Sequence, residues 1–201
     1  MPKTVEVKVF KFEELSPEAK AVAIRNWSND IDYNWSGLVI SDIKECAMDI
    51  GIDIEKVYFS GFYSQGDGAC FEGHIKPVNN KTNDLICPWY CKELQIIGAN
   101  LASMQEKYGN ALYISVRHSG YYCHEYSCTI DIQSDYYPND VDDVLDITGD
   151  DEAIIIEVLR EFMRWIYKCL ESEYEYQTSD SVIGETLIAN DYDFNVDGSM
   201  F

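Results

Sequence analysis

Hydrophobic positions recur along the chain with two periods, and the switches between them mark out the elements. Val5, Val7 and Val9 alternate with Glu6 and Lys8, which predicts a strand over 4–10. Ser16-Pro17-Glu18 then reads as a helix start, with an N-cap, a proline at the first helical position and an acid at the positive dipole end. Ala19, Val22, Ala23, Ile24 and Trp27 share a face and carry that helix to about Trp27. Leu38, Ile40, Ile43, Cys46, Ala47 and Ile50 predict a second helix over 37–50, closed by Gly51. The period returns to two over 56–76, which reads as a hairpin with arms 57–63 and 69–75 around the turn 64–68, where Asp67-Gly68 is strong turn chemistry.

A polar loop is expected over 78–86 and a helix over 89–108. A second hairpin follows, with arms 111–118 and 121–133 turning at Ser119-Gly120, and then an acidic loop over 134–152. The longest helix is expected over 151–176, its buried stripe being Ile155, Val158, Leu159, Phe162, Ile166, Cys169 and Leu170. Arg160, Arg164 and Lys168 fall four apart on another stripe. A short helix near 180–190, opened by Ser179 or Asp180, leads to a terminal strand and turn. The sum is α+β: one domain over 1–201, an antiparallel sheet of hairpins packed against several helices.

Charge changes this picture more than any single motif does. The chain has 36 acids against 15 bases, a net charge of −21 and a pI of about 4.2. Residues 121–201 hold 20 of the acids and three of the bases. Nine acids and no base lie between Asp131 and Glu152. Such a block repels itself, and it argues against direct binding of phosphates, which needs basic surface. It reads either as a solubilising face or as an imitation of the phosphate array of a nucleic acid. No apolar run approaches the roughly 20 residues of a membrane span, and the N-terminal segment does not read as a signal peptide.

Candidate chemistry is sparse. Seven cysteines, an odd number, read as reduced thiols of a cytoplasm. Cys87, Cys91, Cys123 and Cys128, with His124, have spacings that a zinc ion accepts only weakly, so no metal or cofactor is expected. His74, His118 and His124 form no ligand or triad motif; His118-Ser119 and Asp67 are the groups to test for hydrolase chemistry. Asp193, Asn195 and Asp197-Gly198 match the start of a calcium loop, but its closing Glu is missing and an ordinary turn is the better reading. Ser60, Gln65, Asp67 and Gly68, among aromatics, form the obvious candidate motif for a small polar ligand, or simply a tight turn. Fifteen tyrosines, Tyr126 and Tyr167 among those set between acids, suit protein recognition.

Three stretches carry a resemblance. They are Phe12-Glu-Glu-Leu-Ser-Pro-Glu-Ala-Lys20, the run from Tyr58 to Gly73 with its Phe-Ser-Gly-Phe-Tyr-Ser-Gln-Gly-Asp-Gly core, and the segment from Ile188 to Gly198. They resemble small acidic proteins encoded by bacteriophages and prophages, some with an antitoxin-like label. The resemblance implies a mobile-element origin, where proteins that blunt host defences are common. Together with the charge it leads to an expected function: a non-enzymatic inhibitor of a basic, nucleic-acid-binding host defence complex, of anti-CRISPR or anti-restriction type. Asp135, Asp140, Asp142, Asp143, Asp146, Asp150, Asp151, Glu152, Glu171, Glu173 and Glu175 would bind that partner. The alternatives are an antitoxin-like binder of one basic toxin, and a small-ligand binder or enzyme built on the 58–75 hairpin.

Overall fold

A computed structural model describes residues 6–29, 35–75, 92–108, 112–133 and 146–201. The fold is α+β, and the chain divides into two compact units, Met1–Trp35 with Ser172–Phe201, and Ser36–Glu171.

In the first unit, β1 (Phe10–Lys11) pairs antiparallel with β6 (Asp193–Phe194), so both ends of the described chain meet in one ribbon. A 3-10 turn over Phe12–Glu14 leads into α1 (Pro17–Asn29), and α5 (Asp180–Ala189) packs against both. The starts are as the sequence predicts. Ser16 Oγ accepts from Ala19 N at 3.2 Å, and Ser179 Oγ accepts from Val182 N. Phe12, Leu15, Ala19, Ala23, Ile183, Leu187 and Phe194 form the core. The strand expected over 4–10 shrinks to two residues, Phe10 and Lys11, because that is all that β6 offers as a partner; residues 1–5 lie outside the described set. The calcium-like segment is a turn: Asp197 Oδ1 accepts from Ser199 N at 3.0 Å and Ser199 Oγ at 2.7 Å. Gly198 has φ +87°, and a Cβ there would lie 2.0 Å from Ala19 O, so this position tolerates no side chain.

The second unit is a four-stranded antiparallel sheet, β2 (Ile52–Phe59), β3 (Ala69–Ile75), β4 (Tyr113–His118) and β5 (Cys128–Gln133), paired in that order. Helices α2 (Ser36–Asp49), α3 (Lys92–Tyr108) and the first part of α4 (Gly149–Gln177) complete it. Phe71 of β3 meets Phe162 of α4 edge to face at 5.6 Å, and Phe162 stacks on Trp165 at 5.5 Å. Ile43, Ile52, Leu94, Leu101, Ile114, Ile155, Leu159 and Ile166 fill the rest of this core. The whole apolar stripe predicted for α4 is buried.

Two arms differ from expectation. The first hairpin arm begins earlier and stops at Phe59, so Ser60, Phe62 and Tyr63 lie in the loop 60–68. The arm expected over 121–133 is a strand only from Cys128; residues 119–127 form a closed loop, with Ser119 N bonded to Ser127 O at 2.9 Å. The β3–β4 ladder is short. It pairs Gly73 with Val116, His74 with Ser115 and Ile75 with Ile114. Beyond it the strands part, and the Glu72 carboxylate accepts from His118 N at 3.3 Å instead. The polar loop expected over 78–86 and most of the acidic loop, 134–145, lie outside the described residues.

Candidate functional site

Antiparallel pairing puts the β2–β3 loop 60–68 and the β4–β5 loop 119–127 at the same end of the sheet. They touch there: a Cβ on Gly68 would lie 2.7 Å from that of His124, so glycine is what lets the loops close on each other. The middle of α4 braces both. Tyr167 Oη donates to Gly61 O at 3.4 Å, the Arg160 guanidinium lies 4.7 Å over the Tyr126 ring, and Arg164 pairs with Glu125 at 3.4 Å.

The four residues of the sequence motif are mostly spent inside this construction. Asp67 Oδ2 accepts from Tyr63 N at 3.0 Å and Ser64 N at 2.6 Å, and Ser60 Oγ accepts from Gly68 N at 3.2 Å. Gly68 is buried under the other loop, and Gln65 is exposed. Ser60 and Asp67 therefore hold the turn.

The solvent side of this end is aromatic. Tyr63 is 77% exposed, Tyr121 91%, Tyr122 62% and Tyr126 62%. Tyr121, Tyr122, His124 and Tyr126 form a ladder with successive ring centroids 5.8, 5.9 and 6.0 Å apart. Behind it, Tyr58 donates to Glu72 Oε2 at 2.7 Å and stacks on His118 at 4.2 Å. His118 Nε2 lies 2.8 Å from Tyr122 O, so its ring is tied to the loop. The hydrogen bond to Glu72 raises the Tyr58 pKa.

Sulfur collects nearby. Hydrogen bonding to Cys128, together with burial, pushes the Cys70 thiol far up, and the same bond lowers Cys128. Cys70, Cys123 and Cys128 are free thiols, but Cys46 is disulfide-bonded, which corrects the expectation of reduced thiols throughout. Among the described residues no group of His, Cys, Asp and Glu is placed to hold a metal; Cys87 and Cys91 lie outside them.

The predicted acidic partner surface is divided. Asp135, Asp140, Asp142 and Asp143 lie outside the described residues. Asp146, Asp150 and Glu152 are exposed around the α4 N-terminus, and among the described residues none of them pairs with a base. Asp151 is only 7% exposed and is no surface acid. It accepts from Lys107 Nζ at 2.5 Å, from Thr148 Oγ1 at 2.8 Å and from Tyr108 Oη, while its own N–H donates to Thr148 Oγ1. These donors, Lys107 first, hold its carboxyl down at about 2. Glu171 is half-buried, 21 residues beyond Asp150 on the same helix, or roughly 31 Å at 1.5 Å per residue. In the first unit, Glu173 accepts from Gln177 Nε2 at 2.8 Å, and Glu175 is exposed.

The bases of this half are internally engaged. Arg160 reaches Glu157 at 3.8 Å, Arg164 reaches Glu157 at 2.6 Å as well as Glu125, and Lys168 reaches Glu93 at 3.1 Å. A cavity of about 350 Å³ between α3 and α4 is lined by Ile96, Ile97, Trp165 and this Lys168–Glu93 pair.

A family described as a domain of unknown function, DUF8835, matches residues 35–180. The chain belongs to that family. The DUF8835 match takes in the entire second unit, with its sheet, both loops and the acids at the start of α4. No curated protein and no solved structure matches the chain. Among the described residues of this DUF8835 member, no helix is long and apolar enough to cross a membrane.

The sequence pattern did not single out Tyr121, Tyr122 and Glu125 as members of a site, and it offered His124 only beside a weak zinc spacing. The signal was the composition of the run from Ser119 to Ser127, rich in Ser, Gly and Tyr like the loops of antibody paratopes.

Proposed function

We propose that the chain is a non-enzymatic acidic binding protein whose partner is a basic, nucleic-acid-binding protein, and that it occupies Lys and Arg sites otherwise used for phosphates. One observation carries this reading. The bases of residues 121–201, Arg160, Arg164 and Lys168, are all engaged by other acids and aromatics of the protein, so among the described residues none of them offsets the exposed Asp146, Asp150 and Glu152. This exposed trio is the described part of the acidic run between Asp131 and Glu152 that faces solvent without a base. DNA presents about one charge per 1.7 Å of duplex axis, and a clustered run of carboxylates competes for the same cations. A bacteriophage or prophage source, and a host defence complex as the target, belong to this proposal on the strength of the sequence resemblance.

The reading is tested by titrating the labelled protein against purified basic DNA-binding defence complexes at 50 and 300 mM salt, with duplex DNA as competitor. The expected result is binding to one complex that DNA displaces and that weakens about tenfold or more at the higher salt. Binding indifferent to DNA and salt, or none across the panel, overturns it.

A further inference from the structure

From the loop end of the sheet we infer that the ladder of Tyr121, Tyr122 and Tyr126 is a docking surface for arginine side chains of a protein partner. This rests on the binding reading above and adds a recognition element distinct from the acids of α4.

The three rings are well exposed, yet they are held in place. Tyr121 and Tyr122 stand edge to face, and Tyr122 and Tyr126 flank the His124 ring. His124 Nδ1 in turn accepts from Tyr126 N at 3.1 Å, and Gly68 packs beneath the His124 backbone. Rigid, amphipathic rings bury contact area at low entropic cost, which is why tyrosine dominates paratopes. A loop that only had to close the hairpin would not need to present three such rings to water.

The occupant follows from charge and from an internal example. Arg160 already lies 4.7 Å over the Tyr126 ring, with that ring 62% exposed, so the loop shows how it receives a guanidinium. A net charge of −21 attracts a cationic partner and repels a nucleic acid that would otherwise stack on the same rings.

The full chain is labelled at its tyrosine rings and titrated with nona-arginine, nona-lysine and a ten-residue oligothymidylate, with ring resonances followed by NMR. Nona-arginine is expected to shift the resonances of Tyr121, Tyr122 and Tyr126. Tyr121→Ser with Tyr122→Ser is expected to weaken it about fivefold, while Tyr121→Phe with Tyr122→Phe keeps the affinity. Unchanged far-ultraviolet dichroism of each variant secures the comparison. The inference is overturned if the serine variant binds nona-arginine like the parent, if nona-lysine depends equally on the rings, or if the oligothymidylate is what moves them. Asp146→Asn with Asp150→Asn and Glu152→Gln separates the two readings. If this variant abolishes DNA-competitive partner binding while the serine variant does not, the acidic reading stands and the arginine ladder falls. Ring-dependent nona-arginine binding with no DNA-competitive partner is the reverse case.

Discussion

Asp151 is one carboxylate among 20 in residues 121–201, but its neighbours give it a separate task. Thr148 and Asp151 stand at the N-cap and three residues on, where side chains satisfy amide groups that the helix leaves open. Lys107 and Tyr108 join the far end of α3 to that cap. The folded pKa of about 2 lies below the ordinary 3.8, so the stabilisation is complete above pH 4 and is lost as the pH falls through about 2. Asp151→Asn is expected to lower the melting temperature by several degrees at pH 7, with the gap from the parent closing near pH 2; scanning calorimetry across that range checks it. In the sequence Asp151 is indistinguishable from Asp150. A threonine three residues earlier is its one signature, and the acidic run hides it. Asp67 was legible as turn chemistry while Ser60 read as part of a strand arm, and which backbone groups the two hold depends on the loop path.

At the scale of elements, the helices were easy to read and the loops were not. Caps at Ser16 and Ser179 and the 3/4 spacing of α4 are local signals, and the structure follows them to within two residues. Phe62, Tyr63, Tyr121 and Tyr122 misled, because aromatics favour strands in general. Here side-chain bonds from Asp67 and His124 to nearby amides outcompete a ladder that has no partner strand at that end. Phe162 is the residue on which α4 and the sheet most depend, fully buried between Phe71 and Trp165. Phe162→Ala is expected to cost about 3–5 kcal/mol, read from urea unfolding. A loss under 1 kcal/mol would mean that the helix and the sheet do not share this core.

Over the whole molecule, the acid excess is concentrated late in the sequence while most of the large core is built by the second unit. Composition alone foretold the acidity, but not that Arg160, Arg164 and Lys168 would be consumed by Glu157, Glu125 and Glu93, since Glu93 and Glu125 come from distant parts of the sequence. The three-pair contact between β3 and β4 carries a consequence for folding kinetics. Each hairpin closes over nine residues, whereas Ile75 and Tyr113 are separated by 37, so joining the two halves has the larger loop-closure entropy and the smaller immediate return in paired backbone. The junction then forms late, after the rate-limiting barrier. Conservative core substitutions at Ile75 and Ile114 should accelerate unfolding and leave the refolding rate nearly unchanged in stopped-flow chevrons, giving φ values near zero. Values near one would place the seam in the folding nucleus instead.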